Sequence, residues 1–78
     1  MTMLRTPVTS SVIASVGYDS ASSTLEVEFR TRRVYQYFRV PPAVHDALMR
    51  AQSIGEYFNR RIRNRYRSVE VRARKGKG

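Results

Sequence analysis

The segment TLEVEFR, residues 24–30, alternates apolar and polar side chains with a period of two. Successive side chains of a strand point to opposite faces, so this pattern predicts a strand with one buried face and one face in water. Leu25, Val27 and Phe29 are the side chains predicted to face a core. A chain with such a strand must build a sheet and cover one side of it, which restricts the fold to layered classes.

Two further strands are predicted on either side of this segment. SVIASVGYD, residues 11–19, is rich in β-branched residues and is followed by small polar residues typical of a turn. RVYQYFRV, residues 33–40, is β-prone throughout and has apolar side chains on both faces. Because only short links join the three segments, we predict that the strands run antiparallel in a meander.

Two helices are predicted after the strands. Pro41-Pro42 ends the third strand, since proline cannot donate to a sheet, and the second proline suits the first turn of a helix. The following PAVHDALMRA has apolar residues at helical spacing. The capping-box sequence SIGE then predicts a second helix that begins at Ile54 and ends near Asn64 or Arg65.

The predicted fold class is therefore α+β, a three-stranded antiparallel β-meander followed by two α-helices packed on one face. The sequence SVEVR is also compatible with a short C-terminal strand. We predict a flexible N-terminal lead-in at residues 1–9, one domain at 10–71 and a basic, disordered tail at 72–78.

Several classes of protein are excluded by residues that the chain lacks. Its 78 residues include no cysteine, which excludes a disulfide framework and a thiolate metal site. His45 is the only histidine, so we predict a helix-surface residue and no metal site. No motif joins Ser10, Ser11 or Asp19 to His45 as a catalytic triad, and there is no glycine-rich phosphate loop. We therefore predict no enzymatic activity and no cofactor.

The distribution of charge favours a polyanionic partner. Of the net charge of +9, residues 1–56 contribute little, with six arginines against five acidic residues. Residues 57–78 hold seven arginines and two lysines against Glu70 alone. Such clustering is typical of nucleic-acid binding, with an acidic protein surface as the alternative partner. No apolar run approaches the roughly 18 residues of a membrane span, so a cytoplasmic protein without membrane contact is predicted.

The segment YFNRRIRNRYR, residues 57–67, concentrates five arginines where carboxylates are absent, so pairing within a helix does not explain them. A planar guanidinium binds phosphate oxygens in pairs, although a merely solvated helix face is the alternative. Asn59 and Arg63 lie four apart, and either form part of a ligand site or hold tyrosine hydroxyls in an internal network. The residues of this segment and of the tail predicted to contact nucleic acid are Asn59, Arg60, Arg63, Arg67, Arg72, Arg74, Lys75 and Lys77.

Tyr35 and Tyr37 are predicted to share one face of the third strand with Arg33 and Arg39. Two neighbouring rings on a strand are a geometry on which single-stranded RNA binders stack bases, with the flanking arginines near phosphates. The alternative is that both tyrosines pack in the core beneath the helices. All four residues are included in the predicted nucleic-acid site.

Taken in chain order, SSVIASVGYD, LEVEF, VYQYFRVP and AQSIGEYFNRRIRNRY resemble the KTSC domain over about residues 10–66. This family is a short module found at the C-terminus of some lysyl-tRNA synthetases and as a stand-alone bacterial or phage protein. Its central Tyr-x-Tyr appears here at residues 35–37, and its YFN..IR..Y run at residues 57–66. The synthetase association implies that RNA is favoured over DNA.

One turn departs from the family pattern. The family usually has a glycine before the Tyr-x-Tyr strand, whereas this chain has Thr31-Arg32-Arg33. Because residues other than glycine rarely adopt positive φ, we predict a longer or bulged hairpin there. The whole sequence predicts a small non-catalytic module that binds nucleic acid, with a protein-interaction adaptor for an acidic partner as the alternative.

Overall fold

The structure, a computed structural model, describes residues 5–71. Two helices and an antiparallel sheet form the predicted α+β fold, but the sheet has five strands rather than three. The elements in chain order are β1 (Thr6–Pro7), β2 (Ile13–Asp19), β3 (Thr24–Phe29), β4 (Val34–Tyr37), α1 (Pro42–Arg50), α2 (Ile54–Arg61) and β5 (Ser68–Val71). The predicted tail, residues 72–78, lies outside the described residues, as do residues 1–4.

The strands lie in the sheet in the order of the chain, each antiparallel to its neighbour. The central meander β2–β3–β4 is the predicted one. β1 pairs Thr6 with Val16 and Pro7 with Ser15, so part of the predicted flexible lead-in is instead an edge strand. An edge tolerates proline because no further strand needs its missing N–H. The chain returns after α2 as β5, which pairs with β4.

The helices cover the predicted face of the sheet. Leu25 lies opposite Tyr37 and Val27 opposite Tyr35, so the apolar side chains of β3 and the tyrosines of β4 share one face. Phe58 of α2 packs on this face, and its ring centroid is 5.4 Å from that of Phe29. The buried apolar residues of the core are Ile13, Val16, Leu25, Val27, Tyr37, Val40, Leu48, Phe58 and Ile62.

The opposite face of the sheet is not simply solvated, as the alternation of β3 had suggested. Glu26 is only 5% exposed, because Arg5 from the N-terminal edge and Gln36 from β4 both bind its carboxylate. Arg5 Nη1 is 2.7 Å from Oε2, and Gln36 Nε2 is 2.8 Å from Oε1. A buried carboxylate is tolerated when its charge and hydrogen bonds are matched in this way.

Both helices begin where the sequence predicted. Pro41 is the N-cap of α1, and Pro42 occupies its first turn. Ser53 is the N-cap of α2, and its side chain accepts a hydrogen bond from the Glu56 N–H.

The second helix ends at Arg61, earlier than predicted. Ile62 leaves helical geometry at φ −122°, and its side chain is completely buried. The Arg63 N–H donates to the Phe58 carbonyl at 2.9 Å, a bond of the kind that closes helix C-termini. The residues that follow form a turn, so their side chains do not continue the helical face.

The β3–β4 turn includes a residue with positive φ. The Phe29 N–H donates to the Arg33 carbonyl at 2.9 Å, and the residues between them form the loop. Arg32, near the end of this loop, has φ 78°, the left-handed conformation that glycine would adopt more easily. A three-residue loop that ends in a left-handed residue is the bulged type of hairpin, which agrees with the predicted longer or bulged hairpin. The positive φ itself is adopted by an arginine, which the sequence had made less expected.

Candidate functional site

The two tyrosines of β4 meet the helix layer differently. Tyr37 is 4% exposed, and its ring packs edge-to-face on Phe58 with the centroids 5.3 Å apart. Tyr35 is half-buried, 6.4 Å from Tyr37 and 5.8 Å from Phe29 between ring centroids. Tyr37 is thus a core residue, and Tyr35 is the ring of the pair that retains surface on which a base can stack.

A cleft of about 690 Å³ opens beside these rings, between the sheet and the C-terminal end of α2. We call it the aromatic cleft. Its apolar wall is formed by Val12, Phe29, Tyr35, Tyr37 and Phe58. Its polar lining consists of Ser11, Arg30, Thr31, Asn59, Arg63, Asn64 and Ser68. Apolar walls combined with a few convergent polar groups are typical of ligand sites.

Asn59 and Arg63 form the polar pair that their spacing predicted. Arg63 Nη1 donates to Asn59 Oδ1 at 3.3 Å, and both side chains are exposed at the cleft. Arg63 lies in the turn after α2, and its N–H is bonded to the Phe58 carbonyl of the helix. The early end of the helix therefore places a guanidinium beside an aromatic wall, where it can bind an anion attached to a stacked ring.

Tyr37 reports on the electrostatics of the cleft. Its pKa is raised to about 12, mainly by burial and also by the neighbouring Tyr35, while the charge of Arg63 acts in the opposite direction. A buried phenol resists ionisation because its charged form loses hydration. At neutral pH, Tyr37 is therefore an uncharged donor at the wall of a cleft that carries positive charge.

Arg33 and Arg39 lie just outside the strand that carries the two tyrosines, since β4 spans Val34–Tyr37. Arg33 Nη1 lies 3.7 Å from the carboxylate of Glu70, the residue of β5 that pairs with Tyr35, so Arg33 remains beside Tyr35. Arg39 has φ 58°, which turns the chain away from the strand direction. Neither residue lines the aromatic cleft.

A second concavity, of about 460 Å³, gathers residues that the sequence did not bring together. We call it the arginine recess. It is lined by Phe38, Arg39, Arg65, Tyr66 and Arg67. Arg39 and Arg67 belonged to the predicted nucleic-acid site, whereas Phe38, Arg65 and Tyr66 did not. The run Arg65-Tyr66-Arg67, at the predicted end of the helix, is the signal that would have indicated Arg65 and Tyr66.

The remaining predicted contacts lie elsewhere. Arg60 is exposed on α2 and shares a shallow groove with Arg61 and Glu56. The four basic tail residues, Arg72, Arg74, Lys75 and Lys77, lie outside the described residues. The structure therefore divides the predicted site into the aromatic cleft, the arginine recess and separate surface positions.

His45 occupies a structural position. Its ring stacks on Tyr18, with the centroids 4.7 Å apart and the planes inclined by 9°. The Tyr18 hydroxyl donates to the Val40 carbonyl, which fixes the stack over α1. Across residues 5–71 there is no group of three histidine or acidic side chains that could hold a metal ion. Within the same residues, no helix has the length and apolar character needed to cross a membrane.

Comparison with known proteins gives consistent matches. Residues 9–66 match the KTSC domain family. A protein of Tsukamurella paurometabola is 41% identical over 83% of this chain and 97% of its own length. An uncharacterized protein of Stutzerimonas stutzeri is 46% identical over 73% of this chain and 80% of its own. A lysine–tRNA ligase of Nostoc punctiforme is 40% identical over 78% of this chain, which corresponds to 11% of the ligase.

A solved structure agrees with these matches. The crystal structure of a KTSC domain protein from Yersinia pestis superimposes with a TM-score of 0.88 at 38% sequence identity. The match covers 91% of this chain and 100% of that one. The chain belongs to the KTSC domain family, as the order of its sequence motifs had indicated.

Proposed function

We propose that this protein is a small non-catalytic module that binds single-stranded nucleic acid, with RNA favoured over DNA. The observation that carries the proposal is the aromatic cleft, which combines the half-buried ring of Tyr35 with the guanidinium of Arg63. A stacked base and its phosphate need these two groups within one site.

The charges around the cleft support a polyanionic ligand. Arg30 and Arg63 line it, and none of the described residues that line it is acidic. Arg30 Nε is already bonded to the Ser10 carbonyl at 3.0 Å, which leaves its other nitrogens for a ligand. The net charge of +9 adds a long-range attraction that raises the rate of encounter with a phosphate backbone.

The proteins that contain the same domain favour RNA. Three of the matched relatives are lysine–tRNA ligases, from Nostoc punctiforme, Trichormus variabilis and a Nostoc species. The matched segment is 11% of each ligase, so the likeness concerns a small appended part of an enzyme that acts on tRNA. A module that contacts single-stranded RNA would be useful beside such an enzyme.

The geometry implies binding without base-specific readout. Tyr35 offers a ring face that any base can stack on, and Arg63 offers donors to phosphate oxygens. Asn59 orients Arg63 through the 3.3 Å hydrogen bond, so its amide is partly committed within the protein. We therefore expect similar affinity for unpaired segments of different sequence and weaker binding to duplexes, whose bases are already stacked.

Fluorescence anisotropy with labelled single-stranded RNA, single-stranded DNA and duplex RNA tests this proposal at several salt concentrations. If about five phosphates are neutralised, the slope of log K against log salt should be about −3.5 for a single strand. Tyr35→Ala and Arg63→Ala should each weaken binding about tenfold, because stacking and a charged hydrogen bond each contribute about 1–3 kcal/mol.

Arg50→Ala is the matched control, because Arg50 is an exposed arginine that lines neither the cleft nor the recess. It should change affinity much less than Arg63→Ala. Equal losses from the two variants would show that only overall charge matters and would remove the cleft from the proposal. A salt slope near zero would contradict phosphate binding altogether.

The alternative function, an adaptor for an acidic protein, uses the same arginines. A polyglutamate peptide distinguishes it, because the peptide has negative charge but no bases to stack. Binding of the peptide that equals or exceeds binding of single-stranded RNA, and that is insensitive to Tyr35→Ala, would favour the adaptor. Deletion of residues 72–78 in both titrations measures how much of either affinity depends on the tail.

A further inference from the structure

The arginine recess lies next to the aromatic cleft along two paired strands. Tyr37 lines the cleft and the adjacent Phe38 lines the recess. On the neighbouring segment, Ser68 lines the cleft and Arg67 the recess. The Phe38 N–H donates to the Arg67 carbonyl at 2.9 Å, so these two residues of the recess are paired. Residues adjacent in the chain, Tyr37 with Phe38 and Ser68 with Arg67, therefore line the two concavities.

The backbone of the recess is held in an unfavourable conformation. Arg39 has φ 58°, and the left-handed region costs residues other than glycine free energy. Hydrogen bonds on both sides maintain it, from the Phe38 N–H to Arg67 and from the Val40 N–H to Ser23. Such strain persists only where the surrounding structure enforces it, and it occurs often at ligand sites. Here the strained residue is an arginine that lines the recess together with Arg65 and Arg67.

The charge of the recess is not balanced by the described part of the chain. Within residues 5–71, no carboxylate lies within 4 Å of the guanidinium groups of Arg39, Arg65 or Arg67. A phosphodiester carries one negative charge, which is less than three arginines can neutralise. A phosphate monoester carries close to two negative charges and three acceptor oxygens, which suit several forked donors.

We propose that the arginine recess binds a phosphate monoester attached to a nucleoside, with the phosphate on the arginines and the base against Phe38 and Tyr66. The source of this group is the terminal phosphate of a nucleic-acid strand or a free nucleotide. The strand-end form rests on the proposed function, because the rest of the strand then occupies the aromatic cleft. The free-nucleotide form does not depend on the cleft.

Isothermal titration calorimetry of the intact protein tests this site. The probes are a short single-stranded oligoadenosine in three forms, with a 5′-phosphate, with a 3′-phosphate and with hydroxyls at both ends, together with AMP and adenosine. We expect one phosphorylated form to bind about tenfold more tightly than the hydroxyl form, and AMP more tightly than adenosine. Arg65→Gln combined with Arg67→Gln should remove both preferences.

Two single variants serve as controls. Arg50→Gln removes an equal charge outside both concavities and should keep the preference for the phosphorylated end. Arg63→Gln should weaken the binding of all three oligonucleotides by the same factor, so the ratios of their affinities should be unchanged. The thermal unfolding midpoint of each variant shows that it is folded, since the substituted side chains are exposed.

The outcomes separate this site from the proposed function. Equal affinity for the three oligonucleotides, with no binding of AMP, would overturn the recess as a monoester site while the cleft proposal stands. A preference that survives loss of Arg65 and Arg67 would overturn it as well. Arg65- and Arg67-dependent binding of AMP without oligonucleotide binding would support the recess and contradict the proposed function. Binding of none of the probes would end both proposals.

Discussion

The protein uses arginine in two different ways, on the sheet face that the helices leave open and in the arginine recess. Arg5 binds the carboxylate of Glu26, which also accepts a hydrogen bond from Gln36, and the group is largely removed from water. Arg65 and Arg67 are exposed and, among the described residues, have no carboxylate within ion-pair distance. The first arrangement stabilises the fold, whereas the second is open to an anion from outside.

The largest expected effect breaks the first arrangement. Glu26→Ala leaves Arg5 and Gln36 without their acceptor, so the free energy of unfolding should fall by about 2 kcal/mol. Arg65→Ala should change it by less than about 0.5 kcal/mol, because the side chain is exposed and makes no ion pair with the described residues. Urea unfolding followed by circular dichroism measures both. A comparable loss from Arg65→Ala would mean that the recess arginines also stabilise the fold.

An intermediate effect concerns Tyr37, the buried phenol whose pKa is also affected by the charge of Arg63. The pKa of Tyr37 is raised to about 12, mainly by burial, so the folded protein keeps a proton that the unfolded chain loses near pH 10. Stability should therefore be unaffected by this group below pH 10 and should fall as pH rises from about 10 to about 12. Denaturant unfolding at successive pH values measures the decline.

The same group gives a spectroscopic test of the cleft. Arg63→Ala removes a charge that lowers the pKa of Tyr37, so the phenol should ionise at still higher pH. The ultraviolet absorbance of tyrosinate is measured against pH for the wild-type protein, Arg63→Ala and Tyr37→Phe. The phenol that ionises last in the wild type and is missing from Tyr37→Phe is assigned to Tyr37. An unchanged titration in Arg63→Ala would show that the guanidinium does not act on the wall of the cleft.

The smallest effect compares two arginines with left-handed backbones, Arg32 at φ 78° and Arg39 at φ 58°. Glycine at such a position removes a conformational cost of about 1–2 kcal/mol. It also increases the freedom of the unfolded chain, which lowers stability by about 0.5–1 kcal/mol. Arg32→Gly should therefore stabilise the fold by up to about 1.5 kcal/mol and leave AMP binding unchanged. Arg39→Gly should have a similar effect on thermal stability, but it should weaken the binding of AMP. Equal AMP binding by both variants would remove Arg39 from the proposed site.

Features of the fold that depend on local patterns were predictable from the sequence. The alternation of β3, the prolines before α1 and the capping box at Ser53 each determine a structure through neighbouring residues alone. β1 was not predictable, because two residues have no periodicity and pair only when β2 is already in place. The burial of Glu26 likewise depends on Arg5, which lies 21 positions away.

The candidate site was predictable in its residue types but not in its grouping. The pair Asn59 and Arg63 followed from helical spacing, although the helix ends before Arg63. Burial of Ile62 ends α2 early, and the turn after it sends Arg63 to the cleft and Arg65 to the recess. The positive φ of Arg39 separates it from the tyrosines in the same way. Both events depend on tertiary packing, which a periodic pattern does not include.

The short strand β5 has a further consequence for how the protein behaves at high concentration. It forms one edge of the sheet, and its residues Val69 and Val71 are 49% and 38% exposed. Such an edge can template the addition of another chain unless it is short or carries charge. β5 has only four residues, and the net charge of +9 repels a second copy of the chain. Because salt screens this repulsion, self-association through this edge is least opposed at high ionic strength.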